Sequence, residues 1–408
     1  MRERTLYTTL WNELAIEKAM VFLSGPRQVG KTTFARELIG RAFSNKEYFN
    51  WDIIDNKKRL IQEPYFFEQI NLKDDSRPLV IFDEIHKYRH WKNYLKGVYD
   101  RYGERFQFAV LGSGRLDVLK KGGEALSGRF LEMHLFPFTV AELSARRRDI
   151  RRFLKDPLSE FDINPVKETF AIWQQLAHVS GFPEPFTKGR VISWRRWSSN
   201  YGRQIIRDDI RTVQEIRQTD TMEILYSLLP SRVASPLSLN NLAGDLQVSF
   251  ETVKQWLTLF DYFYLTFRIS PWSKKISRAI LKEKKMYLFN VALVEDEADK
   301  FENMVALELW RAVSQWNEWG WGHFGIFYLR NKEKKEVDFV LTNGLKPFLL
   351  VEAKTTEDRV SESLAYFQNI LKIPAVQLVN RENVRKVLLK DTSGIGVFSA
   401  HQWLSSLP

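Results

Sequence analysis

Short apolar runs separated by polar, glycine-containing segments predict a parallel α/β domain over the first third of the chain. The runs occur in AMVFLS, EYFNWDI, PLVIFD, RFQFAVL and FLEMHLF. Runs of this kind are typical of strands that are buried on both faces of a parallel sheet. The sequence therefore predicts five such strands, with a helix after the first run and another after the last.

The middle of the chain has a different pattern. Residues 145–218 mix arginine-rich and tryptophan-rich stretches without strand alternation, which favours a helical segment. Further on, Ser238 and Ser249 each stand directly before a stretch with apolar residues at helical spacing, as helix N-caps do. YFYLTFRI then has the pattern of a strand. Two helices joined by a short turn and followed by a strand predict a winged helix.

The second helix of this pair would present Glu251, Lys254 and Gln255 outward. These side chains are poorly basic for a helix that reads DNA. Winged helices also contact proteins, so contact with DNA and contact with a protein partner both stay open for this helix.

A phosphate-binding loop follows the first predicted strand. GPRQVGKT fits G-x-x-x-x-G-K-[ST] and lies between a strand and a helix. The glycines let the backbone wrap phosphates, Lys31 would neutralise the β and γ phosphates, and Thr32 would offer its hydroxyl to Mg²⁺. The predicted ATP-binding residues are Gly25, Pro26, Arg27, Gln28, Val29, Gly30, Lys31, Thr32 and Thr33.

Two acids end the third predicted strand. In PLVIFDEIHKY, Asp83 would help to hold Mg²⁺, and Glu84 would orient or deprotonate the attacking water. The predicted strand in RFQFAVLGSGR would place Ser113 near the γ phosphate as a polar sensor, and ALSGRF contains Arg129. We expect Arg129 to reach a phosphate in the same subunit or in a neighbouring one, unless it only forms a surface ion pair.

Composition narrows the class of protein. The 408 residues suit two to four domains, and 44% hydrophobic with 27% charged residues is typical of soluble globular chains. No apolar run reaches the roughly 18 residues of a membrane span. The chain has no cysteine, which excludes disulfides and thiolate metal sites. Since the N-terminus also lacks the features of a signal peptide, we expect a cytoplasmic protein without a membrane partner.

The net charge of +11 calls for a polyanionic partner. The basic residues form three clusters, in one of which arginines alternate with Trp194, Trp197 and Tyr201. Nucleic acid, with DNA favoured, is the predicted partner, and a solvated surface is the alternative for each single cluster. The other two clusters are Arg146, Arg147, Arg148, Arg151, Arg152 and Lys155, and Lys274, Lys275, Arg278, Lys282, Lys284 and Lys285.

These motifs resemble a widespread bacterial and archaeal family of predicted AAA+-superfamily ATPases. The resemblance is carried in order by GPRQVGKTT, NWD, VIFDEIHKY, LGSGR, LSGRF and LFPFTVAEL, and downstream by SGFPEPF and RQIIRDDI. It implies a P-loop ATPase core, a helical lid and a C-terminal region of poorly defined function. LGSGR departs from the family pattern, in which more hydroxyls follow the glycine. AAA+ proteins often borrow an arginine from a neighbour, which would imply a homo-oligomer.

The C-terminal pattern resembles the PD-(D/E)XK superfamily of restriction-type nucleases. Glu302 matches its helix acid, Asp338 the aspartate of one strand, and Glu352 with Lys354 the E-x-K of the next. The resemblance implies that Glu302, Asp338 and Glu352 bind Mg²⁺ or Mn²⁺ and that Lys354 positions water and stabilises charge at the phosphate. Val337 replaces the usual proline. A hairpin that ends in exposed charges is the alternative.

The predicted fold is therefore a multidomain α/β protein. It comprises a P-loop AAA+ ATPase core, a helical lid, a winged helix and a restriction-endonuclease-like α/β domain, over residues 1–144, 145–218, 219–284 and 285–408. The leading hypothesis is a Mg²⁺-dependent ATPase that couples nucleotide turnover to nucleic-acid binding and to metal-dependent cleavage. The alternative is a nucleotide-dependent switch or remodeller of a protein or nucleic-acid partner, with an inactive nuclease-like domain.

Overall fold

The protein forms two compact units in a computed structural model. The first unit comprises Met1–Phe136 with Tyr262–Tyr264, and the second comprises Pro137–Asp261 with Leu265–Pro408. The structure describes residues 3–114, 126–144, 148–159, 167–211, 218–273, 283–356, 359–390 and 393–408. No helix within these ranges is both long enough and apolar enough to cross a bilayer.

The first unit is built on a five-stranded sheet in which every neighbouring pair is parallel. The order across the sheet is β2-β3-β4-β1-β5. All five predicted strands are confirmed, and three of them are buried along their whole length. The strands are β1 Met20–Ser24, β2 Lys46–Asn50, β3 Leu79–Asp83, β4 Gln107–Gly112 and β5 Phe130–His134.

Helices and an aromatic core cover this sheet. Rings from the strands, among them Phe49 and Phe82, pack with Phe66 and Phe67 from the following segments. The helix after β1 begins with three α-helical residues and continues as a π-helical segment, Phe34–Ile39. The α-helices are α1 Thr5–Ile16, α2 Lys31–Thr33, α3 Ile54–Gln62 and α4 Trp91–Tyr102.

The N-terminal half of the second unit is helical, as the sequence predicts. The two serine caps are confirmed, because Ser238 Oγ accepts from the Asn241 N–H at 3.4 Å and Ser249 Oγ from the Thr252 N–H at 3.1 Å. The helices up to this point are α5 Val140–Ser144, α6 Ile150–Lys155, α7 Lys167–Val179, α8 Pro183–Lys188, α9 Val191–Gln204, α10 Thr219–Leu228, α11 Leu239–Leu246 and α12 Phe250–Tyr262.

A mixed eight-stranded sheet forms the rest of this unit, in the order β12-β13-β11-β10-β9-β8-β6-β7. Among the described residues, three further α-helices accompany it: α13 Glu297–Glu318, α14 Glu362–Leu371 and α15 Ala400–Ser405. The strands are β6 Thr266–Pro271, β7 Lys285–Leu288, β8 Phe324–Arg330, β9 Glu336–Asn343, β10 Lys346–Lys354, β11 Ala375–Val379, β12 Arg385–Lys390 and β13 Ser393–Ser399.

The strand expected to form a wing belongs to this sheet. β6 pairs antiparallel with β7 and also pairs in parallel with β8 through Ser270 and Pro271. The β6–β7 pair crosses residue 284, where the sequence predicts a domain boundary. The helix pair and the strand that follows it are present, and the predicted domain boundaries stay predictions.

Candidate functional site

The loop between β1 and α2 needs glycine at two positions. Gly25 has φ +150°, and a Cβ added there would lie 2.1 Å from the carbonyl oxygen of Leu135. Gly30 has φ +94° and directly precedes α2. Residues other than glycine rarely adopt such backbone angles, and at Gly25 there is also no room for a Cβ. The predicted glycines are therefore required by the loop's own geometry.

Lys31 holds its charge inside this loop. The side chain is buried, and Nζ donates to the carbonyl oxygens of Gly25 at 2.8 Å and Pro26 at 2.7 Å. A helix N-terminus already attracts anions through its free N–H groups. The ammonium adds a full positive charge to the same loop, which suits the binding of phosphates.

The loop meets the acid of β3 through a direct hydrogen bond. Thr32 Oγ1 donates to Asp83 Oδ2 at 2.7 Å, and the Tyr48 hydroxyl donates to the same oxygen at 2.9 Å. Burial raises the pKa of Asp83 above its ordinary value, although both hydrogen bonds oppose the shift. A threonine hydroxyl and a carboxylate are hard oxygen donors, so this pair fits Mg²⁺.

Glu84 follows in a left-handed backbone conformation, with φ +56°. Its Oε2 lies 3.2 Å from Lys87 Nζ and 3.5 Å from His86 Nε2, and Lys87 also pairs with Asp52 at 2.6 Å. Burial favours a lower pKa for Lys87, but the two carboxylates outweigh it and raise the pKa. The acid predicted to orient water is thus held in a network of charged side chains at the end of β3.

Ser113 and Arg129 lie at opposite ends of the sheet. Ser113 is buried directly after β4, whose last residue is in register with Ser24, and so it lies at the phosphate-loop end. Arg129 precedes β5, and its carbonyl accepts from the Met20 N–H at the start of β1. The five residues of β1 span roughly 13 Å between that end and the loop.

Arg129 therefore lies far from the phosphate loop of its own chain, and the predicted contact with a phosphate in the same subunit stays a prediction. Its guanidinium instead pairs with Asp100, through Nε at 2.7 Å and Nη2 at 3.3 Å. This is the surface ion pair that the sequence left open as an alternative. Contact with a phosphate in a neighbouring subunit stays a prediction.

The four residues predicted from the PD-(D/E)XK resemblance converge in the second unit. Glu302 lies on α13, Asp338 on β9, and Glu352 and Lys354 on β10. Asp338 Oδ2 accepts from the Ala353 N–H at 2.9 Å, which places its carboxylate beside the E-x-K segment. Lys354 Nζ lies 3.0 Å from Glu352 Oε1. The charges of the E-x-K segment are thus part of a cluster, and Glu352 is buried rather than exposed.

Burial and mutual repulsion perturb these carboxyl groups. Burial raises the pKa of Glu302 to about 8, and the charge of Asp338 adds to the shift. The same two causes raise the pKa of Glu352 to about 7. Perturbed groups of this kind concentrate at functional sites, although structural networks perturb them too.

A second lysine, Lys285, lies inside this cluster. It is 1% exposed, and Nζ lies 3.1 Å from Glu302 Oε1, 2.6 Å from Glu336 Oε1 and 3.3 Å from Asp338 Oδ1. Burial favours a lower pKa, but the three carboxylates raise it above its ordinary value. The assignment of Lys285 to an exposed basic cluster is therefore wrong, because its charge is neutralised in the interior.

The arrangement of this cluster does not fit the predicted metal. Within the described ranges, no group of three or more histidine, aspartate or glutamate side chains is placed to hold a metal ion. An ammonium group lies among three of the carboxylates instead. The Mg²⁺ or Mn²⁺ site predicted at Glu302, Asp338 and Glu352 is thus not formed in this arrangement.

The predicted basic clusters only partly face solvent. Arg146, Arg147, Lys274, Lys275, Arg278 and Lys282 lie outside the described residues. The Arg148 guanidinium donates to the carbonyl oxygens of Ser406 and Pro157, each at 3.2 Å, and lies 4.8 Å from the centre of the Phe153 ring. Burial lowers its pKa to about 10. Arg148 is therefore structural, whereas Arg151, Arg152 and Lys155 are exposed.

Of the aromatic residues of α9, Tyr201 is buried and Trp194 and Trp197 are half-buried with partners inside the unit, whereas the arginines of the helix are exposed. Trp197 stacks on Tyr201 with ring centres 4.5 Å apart, and Trp194 donates to Asn290 Oδ1 at 3.1 Å. Arg195 and Arg196 are exposed. These aromatic rings are thus committed to packing, and any contact of α9 with phosphates would come from the arginines.

Three segments of the chain match known families. Residues 17–144 match a family described as an AAA domain. Residues 171–301 and 299–397 match two families described as domains of unknown function, DUF8612 and DUF4143.

Relatives and a solved structure show more distant similarity. Uncharacterized proteins of Mycobacterium tuberculosis and Mycobacterium bovis are each 20% identical over 352 residues, covering 85% of this chain and 72% of theirs. An uncharacterized protein of Methanocaldococcus jannaschii is 21% identical, covering 68% of this chain and 62% of its own. A solved Walker-type ATPase of Pyrococcus abyssi has 16% identity and a TM-score of 0.45, covering 72% of this chain and 95% of its own.

The parallel sheet, the phosphate loop that follows β1 and the acid that ends β3 occur together in the segment that matches the AAA family. Residues 17–144 are therefore an AAA-type domain with a P-loop ATPase-like fold.

Proposed function

We propose that this protein is a Mg²⁺-dependent ATPase that couples nucleotide turnover to the binding of nucleic acid, with DNA favoured. The observation that carries the first half is the Thr32–Asp83 hydrogen bond of 2.7 Å, beside a buried lysine in a phosphate-binding loop. These three side chains are the ones that ATP phosphates and their bound cation require.

Each residue has a task in this proposal. Lys31 would exchange the carbonyl oxygens of Gly25 and Pro26 for phosphate oxygens of ATP, and the loop N–H groups would hold the phosphates in place. Thr32 and Asp83 would hold Mg²⁺, which neutralises phosphate charge when bound. Glu84 would orient the attacking water after exchanging its contact with Lys87.

Steady-state ATP turnover of the wild type and of Lys31→Ala tests this half. Loss of the lysine should lower turnover by about a hundredfold, the cost of removing one charge-stabilising donor from an active site. Lys58→Ala, on the exposed face of α3, is the control for loss of a lysine in the same unit. Turnover that persists in Lys31→Ala would contradict the assignment.

The proposed nucleic-acid surface consists of exposed basic residues of α6 and α9. The chain's net charge of +11 supports the proposal in general, and the exposed residues Arg195 and Arg196 are its best candidates for phosphate contacts. Affinity of a phosphate-binding surface falls steeply with salt. A protein partner is the rival, which the Lys254–Glu251 ion pair of 3.2 Å on α12 favours, because it leaves that helix little free positive charge. We also propose a cytoplasmic location.

A second candidate function is metal-dependent cleavage of nucleic acid. The convergence of Asp338, Glu352 and Lys354 favours it, but it requires that a divalent metal displace the Lys285 ammonium from Glu302 and Asp338. Labelled DNA and RNA incubated with Mg²⁺ or Mn²⁺ provide the test. Cleavage that disappears in both Asp338→Ala and Lys354→Ala would establish this function, and intact substrates would leave the ATPase switch with an inactive nuclease-like region.

A further inference from the structure

Two lysines of the carboxylate cluster have different surroundings. The Lys354 side chain is 38% exposed and pairs with one carboxylate, whereas the Lys285 side chain is 1% exposed and pairs with three. Removing an ammonium group from water is costly unless charged partners and hydrogen bonds compensate for the lost hydration. Lys285 is thus the internal counter-ion of Glu302, Glu336 and Asp338.

Elements from different parts of the second unit fix this position. Lys285 is the first residue of β7, opposite Ile269 of β6, while the acids come from α13 and β9. Tyr287 lies two residues along β7, and its hydroxyl donates to Glu302 Oε1 at 2.7 Å. Glu302 Oε1 is therefore already in contact with the Lys285 ammonium and the Tyr287 hydroxyl, both of which belong to β7.

A divalent cation at this cluster would need the same carboxylate oxygens. Carboxylates bind Mg²⁺ at about 2.0–2.1 Å and larger cations somewhat further away. A metal bound between Glu302 and Asp338 would then lie close to Lys285 Nζ, which is 3.1 Å and 3.3 Å from oxygens of these two acids. Repulsion between the two positive charges in a buried site excludes one of them.

We infer that Lys285 is the resident cation of the nuclease-like site and closes it to divalent metal. The inference rests on the proposed function only for the kind of ligand, a divalent cation. It requires neither ATP hydrolysis nor nucleic-acid binding. The wild-type chain should therefore bind no metal at this cluster, and removal of the Lys285 charge should allow Glu302 and Asp338 to take up a divalent cation in its place.

Titration of nucleotide-free protein with Mn²⁺, with free Mn²⁺ followed by electron paramagnetic resonance, tests the inference. The proteins compared are the wild type, Asp338→Asn, Lys285→Met and Lys285→Met combined with Asp338→Asn. Lys284→Met removes the same charge one residue earlier and is the matched control. Because nucleotide and nucleic acid are both absent, the result is independent of ATP turnover and of cleavage.

We expect Lys285→Met to bind one Mn²⁺ at least about tenfold more tightly than the wild type and Lys284→Met. This binding should disappear in the variant that also carries Asp338→Asn. A wild-type protein that binds Mn²⁺ and loses it on Asp338→Asn would overturn the inference. So would a folded Lys285→Met protein with no gain in affinity.

Removal of a buried counter-ion can prevent folding, so a charge-compensated variant is part of the design. Lys285→Met combined with Glu336→Gln removes one positive and one negative charge and keeps Glu302, Asp338 and Glu352 as oxygen donors. The same gain in Mn²⁺ affinity is expected for it, together with a higher Tm in the presence of Mn²⁺. A folded double variant without either change would equally overturn the inference.

Discussion

At the scale of single residues, the nucleotide site depends on positions where only one side chain fits. Gly25 is the clearest case, since its backbone angle is unfavourable for other residues and the Leu135 carbonyl occupies the space of a Cβ. Gly344, in the turn between β9 and β10, also has a positive φ of +58°, but nothing lies within 4 Å of an added Cβ. A comparison of the two positions therefore distinguishes the cost of a steric clash from the cost of backbone strain alone.

Gly25→Ala should therefore destabilise the first unit by about 2–3 kcal/mol and weaken nucleotide binding, because backbone strain and a clash coincide. Gly344→Ala should cost about 1 kcal/mol, through strain alone, and leave nucleotide binding unchanged. Urea unfolding and the binding of a fluorescent ATP analogue measure the two effects. Equal stability of the two variants, with normal nucleotide binding in both, would contradict this reading of Gly25.

The burial of Lys285 and its pairing with three acids could not be predicted from the sequence. A lysine in a run of basic residues is ordinarily exposed, and its partners Glu302, Glu336 and Asp338 are distant in the sequence. Two signals were available: Lys285 opens the apolar run MYLF, and Glu336 stands two residues before Asp338, on the same face of a strand. Neither signal identifies the partner, because that depends on how α13 and β7 pack.

At the scale of elements, local chemistry predicted the structure well. The serine caps of α11 and α12 lie where the sequence places them, because an N-cap is a contact between residues two or three apart. The five parallel strands follow from apolar runs. The pairing of β6 with β8 was not predictable in this way, because it joins residues nearly 60 positions apart.

Ser249→Ala should lower the free energy of unfolding by about 1 kcal/mol, since it removes the acceptor of the Thr252 N–H at the start of α12. Ser227→Ala is the control: its hydroxyl donates to the Ile224 carbonyl within α10 and caps no helix. That change should stay within about 0.5 kcal/mol of the wild type. A Ser249→Ala protein as stable as the control would mean that the cap contributes nothing to α12.

At the scale of the whole molecule, the sequence predicted the ATPase-like fold of residues 17–144. It also selected Asp338, Glu352 and Lys354, which lie together in the second unit, although their role stays a prediction. It did not predict that the buried ammonium of Lys285 lies among the acids of this cluster, where we infer that it takes the place of a metal ion. The net charge of +11 also counts basic residues whose charged groups bind partners inside the fold, such as Lys285 and Arg148. Net charge therefore overstates the surface available to a polyanion.

We propose that ATP turnover and nucleic-acid binding are coupled, and ATP turnover measured with and without single-stranded DNA tests this coupling. We predict that DNA increases wild-type turnover several-fold. The increase should shrink in Arg195→Ala combined with Arg196→Ala, which keeps the nucleotide site intact, and should disappear as salt weakens the phosphate contacts. Wild-type turnover that is the same with and without DNA would contradict the proposed coupling.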